Sequence, residues 1–449
     1  MKKKMLQLFG IGLLAALTVS GCGSSGSQTT AGEVTGTNAQ TQAQTVQPTQ
    51  SEDTVDDTGA LTFWSLFTGG DGEFMDDIIA EYNKTSPAQE VKSITMVWDD
   101  YYTKLQTSVA AGKGPDIGVS HVSRIPELAE LGVIDPIDDY IGQLGIKPED
   151  IYIPTELESV TYNGKMYAIP LDMHGEIFCF NSDLVKEAGI ELDEAGKLKI
   201  NSKEEMKSVL DQLRAVVPEG GSTIAFPNQG TQPYRVWYSF YNQLGGTPIL
   251  SEDGTQLTWD KGKALEALTY LASLYKDGYI APGIDDFQGL FESGKAGLLI
   301  NGTVAVANLE RLDNFNWQVQ TFPAVFGKSA CYVNSHSLIL PHNKERSEAE
   351  SLEAVKFMQY ATADGAYIWT GSGNIPANQA ILNSEEYEKV PHRSDYKAMA
   401  EDGVYLFKSL NYSSIENGII EVFNKVWLGD LTPEAAIDAA ETVLKDNLS

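Results

Sequence analysis

Three cysteines in 449 residues exclude a scaffold built on disulfides. Cys179 and Cys331 each sit in an apolar, strand-like run and are expected to be unpaired core residues; a bridge between them is the alternative. Basic residues are scarce. Against 62 Asp and Glu stand 32 Lys and Arg, a formal charge of −30. Such a surface repels polyanions, which excludes nucleic acid as a partner and offers no basic face to a membrane. Beyond the first twenty residues no apolar run is long enough to span a bilayer. Catalytic signatures are missing too: there is no Gly-x-Ser-x-Gly elbow and no phosphate-cradling Gly-x-x-x-x-Gly-Lys-Ser/Thr run. A glycosidase needs two facing carboxylates, but this many acids make some pair inevitable, so their abundance proves nothing. Histidine is rare, with five residues. His121, His174 and His336 lie far apart, without short paired spacing or a Cys partner, so no metal is expected. The acidic clusters lack the EF-hand pattern. No enzyme and no cofactor are expected.

What is present begins with a leader. Lys2, Lys3 and Lys4 precede an apolar run from Leu6 to Val19, the composition of a secretory signal. The junction Val19-Ser20-Gly21-Cys22 resembles the lipobox of bacterial lipoproteins. That resemblance implies cleavage before Cys22, a lipid on Cys22 and a place on the outer face of the cytoplasmic membrane. Residues 1–21 therefore read as a signal peptide. Residues 22–58, rich in Gly, Ser, Thr, Gln and Asp and free of aromatics, read as a flexible tether that cannot bury a core. The remainder, 42% hydrophobic over the whole chain, is long enough for two sizeable cores.

From Leu61 onward strand and helix signals alternate. Leu61-Thr62-Phe63-Trp64 reads as a strand, followed by a Gly-rich turn and a helix with Met75, Ile78, Ile79 and Tyr82 on one face. A second strand is expected over Ile94–Trp98, then a helix carrying Leu105 and Val109, then a third strand over Asp116–Ser120. This alternation favours a parallel sheet flanked by helices. Ser202-Lys203-Glu204-Glu205 reads as a capping box, and Thr432-Pro433 as a helix start. Thr223–Phe226, Gly297–Ile300 and Ser337–Leu340 read as buried strands.

Several segments together resemble the extracellular solute-binding proteins of bacterial ABC importers, in the carbohydrate group that includes maltodextrin-binding protein. Phe63-Trp64 with its glycine turn resembles the family's opening strand and first cleft loop. Ala111–Ile117, Tyr162–Pro170, Phe180–Leu184 with Ala188-Gly189-Ile190, Phe291–Gly297 with Ile300-Asn301-Gly302, and Gly373–Ala377 resemble five further family segments, in order. One departure stands out: Thr303 and Val304 follow Asn301-Gly302 where many relatives carry a sugar-stacking Trp.

The resemblance implies an α/β, two-lobed periplasmic-binding-protein fold (type II) with ligand in the cleft between lobes. It implies passages between lobes near Ile169–Asp172, Trp317–Phe322 and Tyr360–Asp364. The N-terminal lobe would then hold residues 59–170 and 318–360, and the C-terminal lobe residues 171–317 and 361–449. Pockets favour such domain interfaces.

A sugar needs a flat aromatic surface for its ring and fixed polar groups for its hydroxyls. Aromatic and polar residues in loops after predicted strands supply the candidates: Trp64, Thr68 and Asp71; Trp98 and Asp99; His121; Asp172 and His174; Asn334 and His336. Each aromatic has an alternative as core packing, and each charged residue as a solvated loop group. Tyr234 and Trp237, in a segment resembling one whose Tyr stacks on sugar, and Asn301 and Asn374, in two of the family segments, complete the set.

The expected activity is capture of a carbohydrate, an oligosaccharide, by lobe closure, and its delivery to the permease subunits of an ABC importer. The protein would be a monomer held to the membrane by its lipid. The alternatives are the same scaffold binding a non-sugar solute, a sensor that passes its closed state to a receptor, and a surface glycosidase.

Overall fold

The computed structural model describes residues 59–449. Cys22, the leader and the tether lie outside the described residues, as does the side chain of Asp99.

Two sheets, each with its own core, organise the described residues. The first joins β1 (Leu61–Ser65), β2 (Val91–Thr95), β3 (Ile117–His121), β6 (Ala168–Pro170) and β12 (His336–Ile339) in the order β2-β1-β3-β12-β6. β1 runs parallel to β2 and β3, whereas β12 is antiparallel to both neighbours. A small hairpin, β4 (Thr161–Tyr162) with β5 (Lys165–Met166), leads into β6. The second sheet has the order β14-β11-β7-β9-β8, from β7 (Asp172–Asn181), β8 (Ser222–Ala225), β9 (Ala296–Gly302), β11 (Cys331–Asn334) and β14 (Gly403–Tyr405). β10 (Trp317–Thr321) and β13 (Ile375–Pro376) also pair with β7.

Helices form where the apolar spacing asks for them. Gly72–Lys84 buries Met75, Ile78, Ile79 and Tyr82, one stripe, against the first sheet's core of Phe63, Ile117, Val119 and Leu338. In the second lobe, Lys203–Arg214 buries Met206, Val209, Leu210 and Leu213 in the core that holds Phe178, Leu298 and Ile300. The Ser202 hydroxyl accepts from the Glu205 N–H, but the Glu205 carboxylate turns to the Asn201 N–H rather than closing a capping box. The reciprocal box is at Ser347 and Glu350 instead. Thr432 caps the helix Pro433–Asp446 as expected.

Among the described residues the chain passes between lobes three times, and two passages differ from expectation. The first is at Leu171, between β6 and β7, inside the expected stretch. The second is not at residues 317–322. β10 pairs with Ile177–Asn181 of β7 and belongs to the second sheet; the chain crosses at Ser335, between β11 and β12. An apolar strand looks alike on either sheet, so its sequence does not reveal its partner. The third lies beyond 360–364, because Trp369 still packs in the first core, and β13 is the first segment after it to pair with β7. Residues 318–334 therefore belong to the C-terminal lobe and 361–369 to the N-terminal one. The second strand also starts and ends earlier than expected: Trp98 opens the helix Trp98–Ala110. Cys179 and Cys331 are buried and free.

Candidate functional site

Strand register assembles a polar cluster where the two sheets meet. β3 ends at His121, and β12 begins at His336 directly opposite it. Two residues earlier in the chain, β11 ends at Asn334, opposite His174 of β7. Side chains alternate along a strand, so Asp172, His174 and Glu176 share one face of β7. Gly175, between them, faces the other way and lies so close to β11 that a Cβ would come 2.4 Å from the Tyr332 carbonyl oxygen. Only glycine lets the two strands approach this closely.

Asp172 is the hub. It accepts from the Trp369 indole N–H at 2.8 Å, the Asn374 amide at 3.0 Å and the His336 backbone N–H at 3.1 Å. Nδ1 of His336 lies 3.0 Å and Nδ1 of His174 3.3 Å from its oxygens. Burial pushes the Asp172 carboxyl up, but His336 and His174 outweigh it and hold it below the usual carboxylate range. An ionised carboxylate only accepts, so each of these Nδ1 atoms is placed to donate its N–H to Asp172. The His174 and His336 rings stack at 4.1 Å, and His121 meets them at 5.3 and 4.9 Å. Burial, followed by the neighbouring imidazoles, drives His121 well down and His174 down to about 4. One ring nitrogen from each histidine lies within 4.8 Å of those of the other two.

Aromatics and a buried ion pair surround this centre. Nδ1 of His121 lies 2.7 Å from the Tyr102 hydroxyl, and Trp98 stands edge-on to both rings. Arg124 lies over Tyr102, 4.2 Å from its centroid, and reaches across to Glu416 of the second lobe at 3.2 Å. It also donates to Ser413, which in turn donates to Glu127 at 2.5 Å. A cavity of about 280 Å³ opens here, lined by Trp98, Tyr102, Arg124, Glu127, Ser413 and Asn417. A second bridge between lobes runs from the Tyr405 hydroxyl to Glu156 at 2.5 Å, and burial pushes that carboxyl up to about 8.

The second lobe offers polar groups that lack partners. Neither Glu176 oxygen, nor Arg235 Nε, nor the Tyr234 hydroxyl has a hydrogen bond, although all are buried. Glu176 and Arg235 approach only to 3.9 Å, and burial pushes the Glu176 carboxyl up to about 7 despite the cation. Arg235 also lies 5.0 Å from the Tyr332 ring centroid and donates to Gln232, which donates to Asn301. Leaving such groups unpaired costs about 1–3 kcal/mol each.

The expected residues divide. His121, His174, His336, Asp172, Asn334 and Asn374 come together in the cluster, with Asn334 donating to Ser123 across the lobes. Trp98 stands at its edge and Tyr234 and Asn301 on its second-lobe side. Asp71 is buried close enough to feel His336 and Asp172, whereas Thr68 is exposed. Trp64 packs in the first core. Trp237 is a correction: it is fully buried in the second core between Tyr234, Tyr241 and Phe423, its N–H spent on the Ala264 carbonyl, and has no face for a ligand. Its helix, Thr231–Gln243, buries most of its circumference, so it packs as a core element. Tyr102, Arg124, Glu176, Tyr332, Tyr412 and Glu416 were not anticipated. Polar residues at 172, 174 and 176 of an otherwise apolar strand were the available signal.

Comparison with known proteins places this geometry in a family. The profile of bacterial extracellular solute-binding proteins matches residues 77–395. The maltodextrin-binding protein MdxE of Bacillus subtilis is 25% identical over 343 residues, covering 71% of this chain and 73% of its own. An ABC substrate-binding protein of Listeria monocytogenes, solved in complex with cycloalternan, superposes with a TM-score of 0.74 at 22% identity, over 86% of this chain and 98% of that one. UgpB of Mycobacterium tuberculosis, solved with glycerophosphocholine, superposes with a TM-score of 0.75 at 18% identity, over 87% and 98%. These likenesses bear out the two-lobed periplasmic-binding-protein fold.

Proposed function

Because this chain belongs to the bacterial extracellular solute-binding proteins, we propose that it captures a carbohydrate, an oligosaccharide, between its lobes and hands it to the permease of an ABC importer. The observation that carries this reading is the set of buried, unpartnered polar groups, Glu176, Arg235 Nε and the Tyr234 hydroxyl, in a chain that also places the aromatic pair Trp98 and Tyr102 beside His121. Hydroxyl-rich ligands satisfy such groups, and rings of a sugar stack on aromatic faces. MdxE, by its name, binds maltodextrin, which favours the same ligand class. Closure removes water from both faces of the solute, and the closed form is the one the permease would recognise. The protein performs no chemistry on its cargo and acts as a monomer.

A thermal-shift screen against mono- and oligosaccharides tests this. A sugar at about a hundred times its dissociation constant stabilises the protein by about 2.7 kcal/mol. Tyr234→Phe separates binding from packing, since it removes only the unpartnered hydroxyl. The free protein should hold or gain stability, while affinity for a positive sugar falls about 5- to 10-fold, the loss of one net hydrogen bond. Unchanged affinity would remove Tyr234 from the site. If no sugar shifts the melt at millimolar concentration, the carbohydrate reading is lost. A second reading then stands on Arg235, whose free N–H favours a solute bearing a negative group; phosphate esters belong in the same panel.

The lipid anchor on Cys22 is proposed from the basic start, the apolar run Leu6–Val19 and the Val19-Ser20-Gly21-Cys22 junction. Cys22→Ser should release the protein from the membrane fraction and leave its leader uncut at that junction. Unchanged fractionation and processing of the variant would end the proposal.

A further inference from the structure

We propose that His121, His174 and His336 form a binding site for a borderline divalent transition-metal ion such as Zn²⁺, at the junction of the lobes. The three histidines come from β3, β7 and β12, so both sheets contribute. A ring nitrogen of each lies within 4.8 Å of those of the other two. Zinc–nitrogen bonds are about 2.0–2.1 Å, and a tetrahedral ion needs its nitrogens about 3.3 Å apart. Closing the triangle evenly therefore moves each nitrogen inward by about 0.9 Å or less, within the reach of small side-chain rotations.

The surroundings fit the ion. Metal-bound histidines characteristically donate their other N–H to a carboxylate, which fixes the tautomer and raises the basicity of the ligating nitrogen. Asp172 does this for His174 and His336 together, and is itself fixed by Trp369, Asn374 and the His336 backbone. On His121, Nδ1 lies 2.7 Å from the Tyr102 hydroxyl oxygen, which can accept a hydrogen bond from Nδ1–H in the tautomer that leaves Nε2 for the ion. Arg124 has its own carboxylate in Glu416, at 3.2 Å, and Asp172, held between His174 and His336, is the carboxylate placed to offset the charge of the ion. Three imidazoles without thiolates select zinc, copper, nickel or cobalt and reject magnesium and calcium, which want oxygen. Three protein ligands leave one position open, to water or to an oxygen of a solute in the cleft. This inference does not rest on the carbohydrate reading.

The test uses the full chain, stripped with EDTA and titrated calorimetrically with Zn²⁺, with Co²⁺ as an optical probe of tetrahedral geometry. One ion per chain is expected, with a visible Co²⁺ absorption band. His336→Ala and His174→Gln should each weaken binding about 100-fold or more, and Asp172→Asn by about 10- to 100-fold, the scale of an outer-sphere carboxylate. His342→Ala and His392→Ala, remote from the cluster, should change nothing. Thermal melts accompany every variant. If His336→Ala does not fold, His174→Gln, which keeps a side chain of similar reach, carries the decision. Absence of stoichiometric Zn²⁺ binding by the parent overturns the site, as does binding that survives both His336→Ala and His174→Gln. The sugar panel repeated on stripped protein reads the other proposal independently, since sugar without metal and metal without sugar are distinct results.

Discussion

Asp172→Ala is expected to destabilise the folded chain by about 3–5 kcal/mol, the scale of breaking a buried charged network. The carboxylate is fully buried at the first residue of β7, directly after the chain has crossed between lobes. Its removal strands the N–H groups of Trp369, Asn374 and the His336 backbone, and both imidazole Nδ1–H groups. Water cannot readily replace it, because Trp369 and Asn374 are themselves fully buried. Asp172→Asn should cost less, since the amide keeps the shape and one acceptor oxygen. Urea unfolding of both variants checks this. A loss below about 1 kcal/mol for alanine would mean that the five donors find other partners, and that Asp172 does not hold the junction together.

The second large effect is expected at Arg124. Arg124→Ala removes the buried bridge to Glu416 across the cleft and the cation over Tyr102. Glu416 keeps the Tyr412 hydroxyl at 2.7 Å but loses its counter-ion. An uncompensated buried carboxylate costs about 3–5 kcal/mol, yet here the lobes can part and rehydrate it. The loss should therefore appear as opening: a larger radius of gyration by small-angle scattering, with a smaller change in urea stability. Solute affinity should fall about 100-fold, the equivalent of about 3 kcal/mol charged against closure. Replacing both Arg124 and Glu416 by Met should restore part of it, because no lone charge is then buried. A variant that scatters and binds as the parent does would show that the ion pair does not govern closure.

Much of this fold was legible in the sequence, and particular residues explain why. Met75, Ile78, Ile79 and Tyr82 announce their helix because one buried stripe leaves a 3.6-residue period. β3, β8, β9 and β12 announce themselves as short apolar runs. The partner of a strand leaves no such mark, so β10 was placed in the wrong lobe. The site divides along the same line. His121, His174 and His336 were visible as polar residues at strand ends, but their meeting depends on the register of β12 against β3 and of β11 against β7. Distance along the chain therefore spoke against a cluster that the pairing creates. Arg124 and Glu416 were invisible for the same reason, since each looks like an ordinary solvated charge until the lobes meet.

The interleaving of the lobes also governs how the molecule can come into being. β12 lies between β3 and β6 at the heart of the first sheet, yet it is made only after β7 to β11 of the second. A nascent chain ending before residue 335 has no strand to bridge β3 and β6, and leaves two unpaired edges open to wrong partners. Neither lobe is a contiguous stretch that a ribosome could deliver whole. Completion of both waits on long-range pairing, which is slow and late. Neither lobe can therefore be cut out as a single fragment without rewiring its connections.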